Sequence, residues 1–300
     1  MHSLQARLLR FLWAAFLAFL ILAIGQGIWG ALLLSNLKSN PRVPWSVPIM
    51  AVVLSLMWRY LGGRGWPRGT SEGRRRLLRA NRVSCAALAW ATLAGLLAIV
   101  ALAGIWIVLF QLVRTPPNVL ADFSRYPLLT ASAAILMASL VSPLTEEAAF
   151  RGYCQVILER EFTAPVAIVA SSFLFMLAHL THGFFWTKLL VYFLVGFVFG
   201  TTAYLSQSTL PAIPVHIVGD LTFFLLVWPY DAGRRLAWQG GVDHWFEIHV
   251  AQAVVFTVLA ISAFCRLKRV VADESVTRAA GARATKVGHG GPSDFLAGSQ

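Results

Sequence analysis

Residues 83–113 pass without one charged side chain, and residues 11–34 do the same. A helix rises about 1.5 Å per residue, so each run can cross the roughly 30 Å hydrocarbon layer of a bilayer. A soluble fold cannot absorb such runs. Of the 300 residues 58% are hydrophobic and only 13% charged, against about 25% charged in soluble domains. The expected fold is all-α, a polytopic membrane bundle.

Eight candidate spans follow: roughly 11–34, 45–61, 84–113, 128–158, 164–181, 186–206, 209–228 and 246–265. The second is short and holds Pro48. The fourth is too long for a perpendicular helix, so it must tilt, kink near Pro143 or protrude. No internal repeat is visible. Residues 1–265 read as the integral membrane domain, with 128–228 as its motif-bearing core. Residues 266–300 gain Gly, Ala and Ser and read as a flexible cytoplasmic tail. Arg7 and Arg10 precede the first run as in a signal peptide. That run exceeds a signal-peptide core and lacks a clear cleavage site, so it reads as a retained anchor.

The net charge of +12 can mark a nucleic-acid binder. Here the basic residues sit between spans, so no nucleic-acid partner is expected. With the N-terminus inside, 17 of the 25 Lys and Arg fall on the inner face and seven on the outer, with Arg151 within a span. That bias places both termini in the cytoplasm, in what reads as a bacterial plasma membrane. Arg74, Arg75, Arg76, Arg79 and Arg82 dominate the count and read as a topology anchor touching anionic membrane lipids. Cys85, Cys154 and Cys265 have no metal-ligand spacing and read as small apolar residues. Trp29, Trp45, Trp58 and Trp228 suit interface anchors.

Polar residues inside these spans carry the chemistry. Residues 128–144 are uncharged, yet Glu146-Glu147-Ala148-Ala149-Phe150-Arg151 continues the same helical pattern. A single intramembrane acid costs about 2.5–3.5 kcal/mol even on lenient scales. His179, His216 and Asp220 also lie inside apolar spans. Measured from the cytoplasmic ends of their helices, Glu146, His179, His216 and Asp220 sit about 18, 22, 10 and 17 Å deep. Four costly groups from three helices thus share one slab, the usual form of a helical active site or ion path. His216 and Asp220 are four apart and share a face, as do Glu147 and Arg151. Pairing of Glu147 with Arg151 cancels two buried charges. Glu146, about 100° around the helix, is left for another task. Phe175 lies one turn before His179 and walls its pocket. A lone membrane histidine is more often an interhelical hydrogen-bond partner; the depth shared with Glu146 reverses that for His179 and His216. His2, His182, His244, His249 and His289 receive no role. Gly196-x-x-x-Gly200 reads as a close helix contact.

Taken together, Glu146-Glu147-x-x-x-Arg151, Phe175-x-x-x-His179 and His216-x-x-x-Asp220 resemble the CAAX-protease and bacteriocin-processing (CPBP, Abi) family of intramembrane proteases. Gly152-Tyr153 and Gln155 add to the likeness, which covers roughly residues 128–228. Residues 1–127 offer nothing specific. The resemblance implies an eight-helix bundle with a conical cavity opening to the cytoplasm, and peptide-bond hydrolysis inside the membrane. Substrates in the family range from prenylated proteins, trimmed of their last three residues, to bacteriocin precursors and membrane proteins. For this chain it implies a protein or peptide substrate, lipidated in some members.

By the family pattern Glu146 is the general base that activates water. His179 orients that water, and His216 with residue 220 polarises the scissile carbonyl or holds the oxyanion. Many relatives have Asn at the position of Asp220. An ionised Asp cannot donate to an oxyanion, so Asp220 must be protonated, hold the His216 ring or bind a cation. The last option favours a metal set of Glu146, His179 and His216, with Asp220 as a further ligand, and zinc as the ion suited to nitrogen and oxygen ligands. Glu147 and Arg151 are supporting residues, although Arg151 can instead meet a substrate carboxylate. The rival functions are an ion- or proton-coupled transporter, weakened by the missing repeat of broken helices, and a noncatalytic membrane scaffold.

Overall fold

The computed structural model describes residues 2–115, 123–227 and 235–288. Trp228, His289 and residues 289–300 lie outside the described residues, as do the side chains of His2 and His182. The chain runs through α1 (His2–Ser39), α2 (Ser46–Leu61), α3 (Ser71–Leu78), α4 (Cys85–Leu112) and α5 (Leu128–Glu146). A π-helical stretch, Glu147–Cys154, leads directly into α6 (Gln155–Glu159). Then follow α7 (Ala164–Ala178), α8 (Trp186–Ser206), α9 (Ala212–Thr222), the short α10 (Ala237–Gly240) and α11 (His244–Gly288). No strand occurs among the described residues. Six helices are long and apolar enough to cross a membrane, and Ser46–Leu61 and Ala212–Val227 are shorter apolar helices. Six of the eight expected spans are thus helices of crossing length, and the second and seventh fall on the two shorter ones.

The outside of the bundle is apolar. Leu8, Leu12 and Phe16 of α1 and Val254, Val258 and Ile261 of α11 are exposed, as side chains facing lipid must be. Inside, α4 is the most enclosed of the six long helices; being apolar on every side, it can be packed all round. Helix α11 lies along it. A Cβ on Gly104 would stand 2.9 Å from the His249 carbonyl oxygen, so the two backbones touch.

Small residues set the other close approaches. Gly196 and Gly200 press α8 onto α7 and α6: added Cβ atoms would lie 3.0 Å from Ser172 Cα and 3.0 Å from Gln155 Oε1. The expected close contact is present. Gly25 brings α1 against α5, where a Cβ would fall 2.2 Å from Thr145 Cγ2. The expected anchor is therefore part of the bundle, with Ala14, Ala18 and Ile21 buried beside Phe150 and Phe175.

Three expectations change. First, the long fourth span is resolved by widening: its helix turns π-helical over Glu147–Cys154. Such stretches shift side chains around the helix and are frequent at functional sites. Second, α11 continues through residues 266–288, which composition assigned to a flexible tail. Alanine is the strongest helix former, and the extension is held. Leu267 is buried against Ala87 and Ala91, and Ser84 Oγ donates to Glu274. Third, the basic cluster is not a uniform surface anchor. Arg74 is buried, donating to the carbonyls of Tyr60 at 2.9 Å and Gly65 at 3.1 Å. Arg79 is buried too and pairs with Glu159. Arg75, Arg76 and Arg82 remain exposed. The two buried arginines fasten α3 across one end of the bundle.

Candidate functional site

Local sequence explains how each polar group is held. Ser142 lies one turn before Glu146 on α5, and its Oγ donates to Glu146 Oε1 at 2.7 Å. Glu147 begins the π stretch and turns away from Glu146, into a fully buried position. There its Oε1 accepts from His216 Nδ1 at 2.9 Å and lies 3.5 Å from Arg151 Nη1. A carboxylate can only accept, so His216 Nδ1 is protonated, and Nε2 faces the opposite side. His216 Nε2 stands 3.6 Å from Glu146 Oε2 and 3.6 Å from Asp220 Oδ1. Those gaps exceed a direct hydrogen bond. They match the scale on which a small oxygen-bearing group bridges. Glu146 Oε2 and Asp220 Oδ2 are buried and have no hydrogen-bond partner among the described residues.

His179 enters from the end of α7. Its Nδ1 donates to the Phe175 carbonyl at 2.8 Å, and its ring stacks on Tyr192 with centroids 4.0 Å apart. Phe175 lies 4.6 Å from the His179 ring on one side. Its face carries the Arg151 guanidinium at 4.1 Å.

Glu146, His179, His216 and Asp220 all line one cavity of about 740 Å³. Phe175 is in its wall, as the spacing predicted. Most other lining residues are apolar, among them Phe19, Leu22, Ile99, Val195 and Phe199. Glu147 and Arg151 are not in the wall. Arg151 is buried behind Phe175 and Phe199, so the alternative in which it meets a substrate carboxylate does not fit. It is a structural counter-charge to Glu147.

Among the described residues no three His, Cys, Asp or Glu side chains are grouped to hold a metal ion. One His216 nitrogen is engaged by Glu147, and one His179 nitrogen by a backbone carbonyl. Such contacts orient the two imidazoles, the same arrangement that outer-shell carboxylates and carbonyls give metal-ligating histidines.

Several site residues escaped the sequence reading. Ser142 could have been found from its four-residue spacing to Glu146. Tyr192, Trp106 and Gln26 carry no local signal, because their relation to the site exists only in three dimensions. Trp29, taken as an interface anchor, is buried with Met50 and Met137 and lines the cavity. Trp45 and Trp58 are half-buried.

The fold and site together define a polytopic membrane helix bundle with an acid and imidazole cluster facing an internal apolar cavity. Residues 128–222 match the family model of the type II CAAX prenyl endopeptidases, Rce1-like. The likeness drawn from the three motifs holds over that segment, and this family is one of membrane endopeptidases. No curated protein and no solved structure matches the chain.

Proposed function

We propose that this chain is an intramembrane endopeptidase that hydrolyses a peptide bond of a membrane-associated protein or peptide with water activated by Glu146. One observation carries the reading: four polar groups from three separate helices line a single cavity that is otherwise mostly apolar. Burial of that kind is costly and is kept where it does chemistry.

In the proposed reaction Glu146 takes a proton from water, and the hydroxide attacks the scissile carbonyl carbon. The carbonyl π electrons move to oxygen, which becomes the oxyanion. His216, protonated at both nitrogens, donates Nε2–H to that oxyanion while Glu147 grips Nδ1. His179, fixed by the Phe175 carbonyl and the Tyr192 ring, orients the water. Asp220 faces the same imidazole from the next turn of α9, the geometry suited to holding a doubly protonated ring. Collapse breaks the C–N bond, and Glu146 returns its proton to the departing amine.

The test is cleavage of candidate membrane peptides, with and without lipid, by protein reconstituted in vesicles. Glu146→Gln should lower turnover by roughly 10²–10⁴-fold at unchanged expression, and His179→Ala and His216→Ala should also be inactive. Wild-type cleavage by Glu146→Gln would remove the proposal. A lipidated substrate and a bacterial plasma membrane with both termini cytoplasmic belong to the same reading.

A further inference from the structure

Helix α1 lies outside the segment that matches the endopeptidase family, yet it forms one wall of the cavity. Phe19, Leu22, Ala23, Gln26 and Trp29 recur at helical spacing and line it together. Gln26 stands out on this face. It is the only carboxamide among the described lining residues, and it makes no hydrogen bond with another described residue. The side chain is half-buried and borders the cavity, so its amide is open to hydrogen bonding by whatever the cavity holds.

Its level in the bundle is fixed by the residue before it. Gly25 meets Thr145, the neighbour of Glu146, so closely that a Cβ would reach 2.2 Å. Thr145 cannot swing aside freely, because its Oγ1 donates to the Val141 carbonyl at 2.7 Å. The contact sets Gln26 on α1 and Glu146 on α5 at the same height, both in the wall of one cavity. That wall contains no Lys or Arg among the described lining residues, so it offers a substrate carboxylate no permanently charged partner. A primary amide matches a different group, the peptide unit, since each offers one donor side and one acceptor side. A peptide segment drawn from water into this cavity needs such partners for its backbone.

We propose that Gln26 is a substrate-binding residue whose carboxamide hydrogen-bonds the backbone of the peptide segment lying beside Glu146. This rests on the endopeptidase reading and adds to it the recognition of backbone rather than of a terminal carboxylate.

The test pairs variants with a series of substrates in which single backbone amides flanking the scissile bond are replaced by esters. On the wild-type protein one ester should lower kcat/KM roughly five- to tenfold, the scale of one neutral hydrogen bond. Gln26→Met, of similar length but without the amide, should show that same loss on the all-amide peptide, through KM. It should then be insensitive to that ester. Gln26→Asn, with its amide set back by one carbon, should fall between and guards against a folding defect in the first variant. Wild-type kcat/KM for Gln26→Met, or ester losses that persist undiminished in it, would overturn the proposal. A wild-type protein that cleaves none of the peptides would instead bring down the endopeptidase reading, and this inference with it.

Discussion

Glu146 and Glu147 are adjacent in sequence and do opposite work. Glu146 reaches the cavity, while Glu147 is buried between His216 and Arg151. The pair therefore makes separable predictions. Glu147→Gln keeps an acceptor for His216 Nδ1 but loses the charge facing the imidazole. In the proposed reaction kcat should fall roughly 10²-fold or more with KM within about twofold, by the logic of an orienting acid. Steady-state kinetics on one peptide would settle it; an unchanged kcat would remove the orienting role. Arg151 contributes through stability. Arg151→Leu leaves Glu147 buried without its counter-charge, which should cost about 3–5 kcal/mol in denaturant unfolding. Combining it with Glu147→Gln should cost less than the sum of the two single changes. Strict additivity would show that the 3.5 Å approach carries no coupling.

At the scale of elements, glycines decide how near the helices come. Gly152 lies in the π stretch, and a Cβ there would stand 3.1 Å from the carbonyl oxygens of both Leu77 and Leu78. Backbone cannot step aside as a side chain can, so Gly152→Val should push α3 from the bundle and expose Arg74 and Arg79. A loss of about 1–3 kcal/mol is expected, with faster proteolysis in residues 62–82. Gly25 offers a rescue design. Gly25→Ala strikes Thr145 Cγ2, whereas Thr145→Ser removes that methyl and keeps the hydroxyl. The double variant should regain most of the stability and activity lost by Gly25→Ala alone. If it does not, the α1–α5 contact is not set by this pair. Legibility differed between such elements. Gly196 and Gly200 were readable because both lie on one helix at a known spacing. The Gly25–Thr145 contact joins residues 120 positions apart, and no local pattern announces it.

For the whole molecule, the proposed orientation, drawn from the excess of Lys and Arg on one side, has α3 in the cytoplasm and the loop before α11 outside. Cysteines introduced singly at Arg76 and at Asp243, in a chain with Cys85 and Cys265 replaced by Ser and only the buried Cys154 retained, should respond oppositely to an impermeant thiol reagent applied to intact cells. Asp243 should label and Arg76 should not; the reverse pattern would invert the topology and, with it, the face from which the cavity is reached.

The helical bundle, its eight apolar helices and the gathering of Glu146, His179, His216 and Asp220 were determined by sequence alone. Two rules explain this: lipid enforces long apolar helices, and charge is expelled from lipid unless it has a task, so exceptions stand out. The division of labour between the two glutamates, the burial of Arg151 behind Phe175 and the part of α1 in the cavity wall were decided by tertiary structure. Each depends on where a helix face points after packing. The π-helical turn and the glycine contacts set that direction, and one residue of rotation carries a side chain from cavity to core.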